Sequence, residues 1–173
     1  MLDPDREQPI STLGPVAGAP QSNILREVNQ LLRGGLLRER RAGNARLVSA
    51  DTSSPYYEPL VQILGRAYGP AQVVPAELKD VAGIETAVII GSWARRFLGE
   101  PGPPPRDVDV VVVGTPDRRS LRSSNARLEE RLGMPVQITV VSSQDWAEHD
   151  SGFLQDVWSR PYLTVLEQNG SEE

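Results

Sequence analysis

The chain has 173 residues, with 18 Lys and Arg against 23 Asp and Glu, and it is 39% hydrophobic but only 5% aromatic. This length accommodates one domain or two small ones, and the hydrophobic content suits an aliphatic core and excludes a wholly disordered chain. The absence of cysteine excludes a disulfide scaffold, a thiolate metal site and a cysteine nucleophile, and the single histidine, His149, excludes a zinc site made of several histidines.

The sequence also predicts a cytoplasmic protein without a membrane segment. No apolar run approaches the ~18 residues that a membrane-spanning helix needs. The N-terminus, MLDPDREQPI, is polar and acidic and has no apolar stretch of the kind that a signal peptide carries.

The first part of the chain predicts two helices followed by a β-hairpin. A short helix is expected over residues 11–18, and a stronger one over 21–33, where apolar residues recur at helical spacing. Two extended runs around Gly43 and Asn44 predict a hairpin over 36–49. Six arginines and only two glutamates fall within residues 20–46, so this acidic protein carries one compact basic segment.

A third helix is predicted over residues 54–68. Gly69 and Pro70 then predict a junction between a first domain, residues 1–70, and a second domain, residues 71–173. The tyrosines of this helix make it a candidate contact for a homodimer, and the alternative is that they belong to the domain core. A short helix over 75–82 is also expected.

The second domain alternates strands with helices, which predicts an α/β layer. Predicted strands are ETAVIIGS, DVDVVVVG, PVQITVVS and PYLTVL, and predicted helices are WARRFLG, residues 117–132 and, in two pieces, residues 143–159. The proline run 101–105 predicts a stiff loop.

Two motifs in this domain, a glycine–serine pair and a pair of aspartates, give the clearest indication of a chemical function. Gly91 and Ser92 lie where a predicted strand turns into a helix, a place where backbone N–H groups are free to meet a phosphate. Asp107 and Asp109 alternate on the next strand, so both carboxylates point to one face. Hard oxygen ligands in that arrangement suit Mg²⁺ bridging a nucleoside triphosphate such as ATP.

The segment GSWARRFLGEPGPPPRDVDVVVVG resembles the minimal nucleotidyltransferase group of the DNA polymerase β superfamily. The resemblance covers roughly residues 83–166 and implies a mixed sheet flanked by helices. It further implies Mg²⁺ at Asp107 and Asp109, triphosphate contacts by Gly91 and Ser92, and an added phosphate contact by Arg95 or Arg96.

The sequence departs from that family pattern at a third acidic position. Active members often carry another carboxylate on the next strand, where it helps to deprotonate the attacking hydroxyl. The equivalent here is Gln137, with Thr139 on the same face, and neither side chain is a base. The resemblance therefore implies nucleotide binding with slow or lost transfer.

The segment APQSNILREVNQLLRGGLLRERRAGNARLV resembles the second half of a winged helix-turn-helix domain of the ArsR/MarR kind. The resemblance implies double-stranded DNA as a partner, with the helix over 21–33 in the major groove and the hairpin as the wing. Only about ten residues precede Ser11, so the first helix of such a domain is expected to be missing. The expected DNA-binding residues are Gln21, Ser22, Asn23, Arg26, Arg40, Arg41 and Arg46.

Together these features predict a DNA-binding regulator, or an antitoxin-like protein, whose second domain binds an NTP with Mg²⁺ and transfers a nucleotidyl group to an acceptor hydroxyl, for example on a toxin. The alternative is a degenerate nucleotide sensor without transferase activity. Of the remaining residues, His149 is expected in a surface loop, and Trp146 and Trp158 in packing. Trp93 is also expected in packing, with the nucleotide pocket as the alternative.

Overall fold

The computed structural model describes residues 6–149 and 151–168 and divides into two compact units, Met1–Ile63 and Leu64–Glu173. It is a mixed α/β structure with two separate sheets. None of the described helices is both long and apolar enough to cross a membrane.

The first unit consists of helices on a small antiparallel sheet. The sheet order is β1-β3-β2, with β2 and β3 forming a hairpin around Gly43 and Asn44 as predicted. The elements are β1 (Gln8–Pro9), α1 (Ile10–Ala17), α2 (Gln21–Arg33), β2 (Leu37–Ala42), β3 (Ala45–Ala50) and the start of α3 (Tyr57–Tyr68).

The core of this unit forms where the helices cover one face of the hairpin. Ile10, Val28 and Val48 are buried against one another, each from a different element. The helix predicted over 21–33 is confirmed with those bounds, because its apolar residues at helical spacing are the ones that pack on this core.

The second unit is a four-stranded sheet with helices. Its elements, after the end of α3, are α4 (Pro70–Leu78), β4 (Ile84–Ile90), α5 (Gly91–Phe97), β5 (Val108–Gly114), α6 (Arg118–Leu132), β6 (Val136–Val141), α7 (Ser143–Glu148), α8 (Gly152–Ser159) and β7 (Leu163–Glu167). The strand order is β6-β5-β4-β7, in which β5 and β6 are parallel and the other pairs are antiparallel. The structure confirms the predicted mixed sheet with flanking helices.

The two central strands are apolar on both faces. Residues Val110, Val111 and Val112 of β5 are almost completely buried, as are Val88 and Ile89 of β4. Helices α4 and α6 pack on each other and on this sheet. A strand covered on both faces needs an unbroken apolar run, which is why the sequence DVDVVVVG has polar residues only at its beginning.

The helix predicted over 75–82 lies earlier in the chain than expected. It is α4, which begins at Pro70 with Gly69 as its N-cap residue. Pro70 occupies the first helical turn, where a missing N–H costs nothing, so Gly69-Pro70 both ends α3 and starts α4.

Candidate functional site

Asp107 and Asp109 lie together at the beginning of β5. Asp107 directly precedes the strand and Asp109 is its second residue, and both are partly buried. Because side chains alternate along a strand, both carboxylates project to the face that also carries Val111 and Val113. The predicted proximity of the two acids is confirmed, since the charge of Asp107 acts on Asp109.

The carboxylate of Asp109 lies in an environment that disfavours its charged form. Burial raises the pKa of the Asp109 carboxyl above its ordinary value, and the nearby Asp107 charge raises this pKa further. Among residues 6–149 and 151–168, no hydrogen-bond donor or basic side chain is paired with the Asp109 carboxylate. A partly buried carboxylate that lies beside a second carboxylate attracts a cation.

Gly91 lies directly against the carboxylate of Asp109. A Cβ atom at this position would be 2.6 Å from Asp109 Oδ2, and the backbone of Gly91 has φ +72°. Only glycine therefore fits, for both steric and conformational reasons. Gly91, at the start of α5, therefore lies next to the acid pair, and Ser92 follows it as a partly exposed residue.

The structure distinguishes the two arginines of α5. Arg96 donates hydrogen bonds to the carbonyl oxygens of Pro103 (3.3 Å) and Glu100 (2.7 Å), so it holds the proline-rich loop to the helix. Arg95 is one helical turn after Gly91 on the same helix face, and its buried Nε has no hydrogen-bond partner. Arg95 therefore has at least one buried donor, Nε, that no described residue accepts from.

Gln137 stands beside the acid pair. In the parallel pairing of β5 and β6, Asp109 is in register with Gln137, and Thr139 follows two residues later on the same face. Both β6 side chains are exposed. The position that the resemblance assigns to a third carboxylate is adjacent to Asp109 and carries an amide.

The number of potential metal ligands here is consequently small. Within the described part of the chain, no cluster of three or more His, Cys, Asp or Glu side chains is placed to hold a metal ion. The acid pair alone would leave most coordination positions of a cation to phosphate oxygens and water, which is the usual situation of Mg²⁺ in nucleotide complexes.

Trp93 does not line the site. Its side chain is 6% exposed and stacks on Phe97, with ring centroids 5.1 Å apart, so it belongs to the packing of α5. The other two tryptophans, Trp146 and Trp158, meet each other, Tyr162 and His149 in an aromatic cluster. Sequence analysis missed this cluster because its members come from α7, α8 and the residues that flank them.

A separate cavity of about 340 Å³ lies between α4 and α6, and its lining includes neither acid of the pair. Glu77, at its wall, accepts hydrogen bonds from Arg127 and Arg131, both at 2.7 Å. The cavity lining holds two acids, Glu77 and Asp80, and two arginines, Arg119 and Arg127, so unlike the acid pair it carries no net charge.

In the first unit, some of the expected DNA-binding residues are engaged in internal contacts. Gln21 donates a hydrogen bond to the Ile10 carbonyl oxygen (3.1 Å), which joins α2 to α1. Arg26 pairs with the neighbouring Glu27. Ser22 and Asn23 are exposed at the beginning of α2.

The hairpin arginines are divided between its two faces. Arg41 is the cross-strand partner of Arg46, and this face also carries Val48, which packs towards the helices. Arg46 binds Asn29 of α2 (3.1 Å) and pairs with Glu39. Arg40 points to the opposite face, as its neighbour in the strand must, and pairs there with Glu7. The structure therefore brings Arg41 and Arg46 together with α2 and separates Arg40 from them.

Comparisons with known proteins give distant structural similarity and no match in sequence. No protein family profile matches the chain, and no curated protein matches it. A crystal structure from Sulfolobus solfataricus, whose description as a nucleotidyltransferase is itself provisional, is similar with a TM-score of 0.38 and 13% sequence identity. The similarity covers 68% of this chain and 93% of that chain, and it establishes no family for this chain.

The close approach of Gly91 to Asp109 predicts a specific effect of Gly91→Ala. We expect the new methyl group to turn the Asp109 carboxylate out of its half-buried position, so the pKa of Asp109 falls towards its ordinary value. Gly99→Ala is the matched control, because Gly99 also has positive φ (+96°) but nothing within 4 Å of an added Cβ. Both variants should lose about 1–2 kcal/mol in urea unfolding, but only Gly91→Ala should change the Asp109 titration measured by NMR. An unchanged titration would contradict the geometry.

The raised pKa of Asp109 predicts that Asp109→Asn stabilises the protein at pH 7. The pKa of Asp109 is higher in the folded state than in the unfolded chain. Its carboxyl therefore contributes stability that is fully present below the unfolded-state pKa. This contribution is lost as the pH rises through the folded-state pKa, because the charged form is disfavoured in the folded protein. Thermal unfolding from pH 3 to 8 should therefore show a gain for Asp109→Asn that grows with pH. Asp117→Asn should show no such gain, because hydrogen bonds from Ser120 lower the pKa of Asp117. Equal curves for wild type and Asp109→Asn would refute the assignment.

Proposed function

We propose that the second unit binds a nucleoside triphosphate together with Mg²⁺ and transfers a nucleotidyl group from it. The acid pair Asp107/Asp109, packed against the bare backbone of Gly91, is the observation that carries the proposal. The residues present fit the metal, because carboxylate oxygens are its preferred ligands and no basic side chain among the described residues neutralises Asp109. When bound, the metal would neutralise charge on the triphosphate.

The protein's own residues would orient the nucleotide. Asp107 and Asp109 hold the metal, and the Gly91 backbone allows a phosphate to approach without steric conflict. Ser92 offers a hydroxyl donor. Arg95, whose buried Nε lacks a partner, would turn its guanidinium towards phosphate oxygens.

The transfer step needs a proton acceptor that this site provides poorly. An acceptor hydroxyl, on a partner protein such as a toxin, would form a bond to the α-phosphorus while the bond to pyrophosphate breaks. Its proton has to leave, and the amide of Gln137 beside Asp109 cannot accept it. Transfer therefore proceeds slowly, with the proton passing to water or to one of the acids.

Gln137 also favours a second function, nucleotide sensing without transfer. With Gln137 in register with Asp109, the unit could retain nucleotide binding and lose transfer, and the protein would then act as a nucleotide sensor. The two functions differ in one measurable property, because only the transferase consumes the nucleotide.

For the first unit we propose binding to double-stranded DNA. Its support is the arrangement of Arg46, which joins the hairpin to Asn29 of α2 and so fixes hairpin and helix as one surface. Arg41 opposes Arg46 across the strands, and such like-charged pairs are relieved by an anion such as a phosphate. Exposed Ser22 and Asn23 would face the bases. A two-fold operator would favour a homodimer, with α3 as its candidate contact.

Titration calorimetry with ATP and Mg²⁺ tests the nucleotide site. We expect the double variant Asp107→Asn/Asp109→Asn to lose at least about tenfold in affinity, since the metal loses both charged ligands, which corresponds to about 1.4 kcal/mol. Removing the metal with EDTA should have the same effect on wild type. The control Asp117→Asn, an acid outside the site, should bind as wild type does. Unchanged binding by the double variant would exclude the site.

Measuring pyrophosphate release from ATP, with water as the acceptor, distinguishes a transferase from a sensor. The assay uses the samples prepared for calorimetry. Gln137→Glu should raise the rate above that of wild type, because it restores a base beside Asp109. Thr139→Glu is the matched control, as it places the carboxylate about 7 Å further along β6. Nucleotide binding without any release in wild type would favour the sensor.

Gel-shift titrations over a range of salt concentrations test DNA binding by the first unit. We expect Arg41→Ala to weaken binding and to reduce the slope of log affinity against log salt by about 1, the effect of one lost phosphate contact. Arg122→Ala, an exposed arginine of α6 in the other unit, should leave the slope unchanged. Arg40→Ala should have a smaller effect than Arg41→Ala. No affinity at low salt would refute DNA binding.

A further inference from the structure

Four rings of the second unit form a compact aromatic cluster. Trp146 and Trp158 have centroids 5.1 Å apart, Tyr162 lies 5.5 Å from Trp158, and His149 stands edge-on to Trp158 at 4.3 Å. The whole chain has only three tryptophans, and two of them are here. In a chain that is only 5% aromatic, this concentration of rings calls for a physical explanation.

The aromatic cluster covers the same face of the sheet on which the acid pair lies. Trp146 and Tyr162 pack on Val88, Val111 and Val113. Val111 and Val113 alternate with Asp109 along β5, so their side chains share its face. The acid pair occupies one end of that face and the aromatic cluster covers the rest.

The strand register places Tyr162 in the same row as Asp109. Ile90 is the cross-strand partner of Asp109, and Ile89 pairs with Leu163, so continuing this antiparallel register by one residue sets Tyr162 opposite Ile90. Ile90 and Tyr162 pack on the same valines. Two strand spacings, roughly 10 Å, therefore separate the backbones of Asp109 and Tyr162. That span is comparable with the ribose and α-phosphate that separate a nucleobase from the rest of a triphosphate.

The outermost ring of the aromatic cluster remains accessible. Trp158 is 40% exposed although it contacts three other rings. A flat aromatic partner can stack on such a ring and bury its exposed surface. Nucleobases stack on tryptophan and tyrosine in this manner, and every base offers a suitable face.

We propose that Trp158, supported by Tyr162 and Trp146, is the stacking platform for the base of the nucleotide whose phosphates lie at the acid pair. This inference rests on the proposed nucleotide site and adds to it the subsite for the base. Recognition by stacking alone tolerates different bases, so purines bind more tightly than pyrimidines because of their larger rings, and ATP and GTP bind alike.

Calorimetry with two ligands tests the platform, namely ATP and inorganic tripolyphosphate, each with Mg²⁺. Trp158→Leu should weaken ATP binding about 5- to 150-fold and leave tripolyphosphate binding unchanged, because only ATP carries a base. Trp158→Phe should retain much of the ATP affinity. The matched control is Phe153→Leu, which removes an equally exposed ring (43%) from the same helix. This variant should bind both ligands as wild type does.

Tryptophan fluorescence gives a second measurement that does not depend on the stability of Trp158→Leu. In a Trp93→Phe background only Trp146 and Trp158 emit, and ATP should quench them whereas tripolyphosphate should not. Wild-type ATP affinity in Trp158→Leu, or equal losses for both ligands, would overturn the platform while leaving the phosphate site intact. If the double variant Asp107→Asn/Asp109→Asn still bound both ATP and tripolyphosphate as wild type does, the proposed phosphate site would be overturned instead.

Discussion

The repulsion between the carboxylates of Asp107 and Asp109 is the interaction on which the second unit's chemistry depends. Burial and mutual charge raise the pKa of Asp109, and no basic side chain among the described residues is paired with it. The folded state tolerates this because the buried valines of β5 fix the strand from which both acids project. A rigid apolar strand thus holds a partly buried carboxylate in a position where its charge is disfavoured, and perturbed groups of this kind are common at functional sites.

The two faces of the sheet of the second unit carry different elements, and this positions the other parts of the candidate site. One face is closed by α4 and α6. The other carries the acid pair at one end and aromatic side chains beyond it, with Gly91 leaving room for the Asp109 carboxylate. Gln137 limits what this arrangement does, since an amide in register with Asp109 supports binding better than proton transfer. In the proposed function, binding and catalysis would therefore depend on different strands of the same sheet.

Several charged side chains of the first unit form ion pairs within the unit. Three of its arginines, Arg26, Arg40 and Arg46, pair with glutamates of the same unit, and solvent-accessible ion pairs of this kind contribute little to stability. They can therefore exchange a glutamate for a phosphate at small cost. Arg46 differs from the others because it also contacts Asn29, and so orients the hairpin relative to α2.

Local patterns in the sequence determined most of the elements of this protein. Helical spacing gave α2 its bounds, Gly43-Asn44 placed the hairpin, and alternation put Asp107 and Asp109 on one face, since each of these depends only on neighbouring residues. Gln137 was singled out by the family resemblance, and the strand register sets it beside Asp109. Only the tertiary structure decided the partners: that Arg96 holds the proline-rich loop, that Arg40 pairs with Glu7 while Arg46 contacts Asn29, and that rings from α7, α8 and the residues flanking them meet on the sheet face that carries the acids. Such contacts join residues far apart in the chain, and their geometry is set by packing and strand register, which no local pattern encodes.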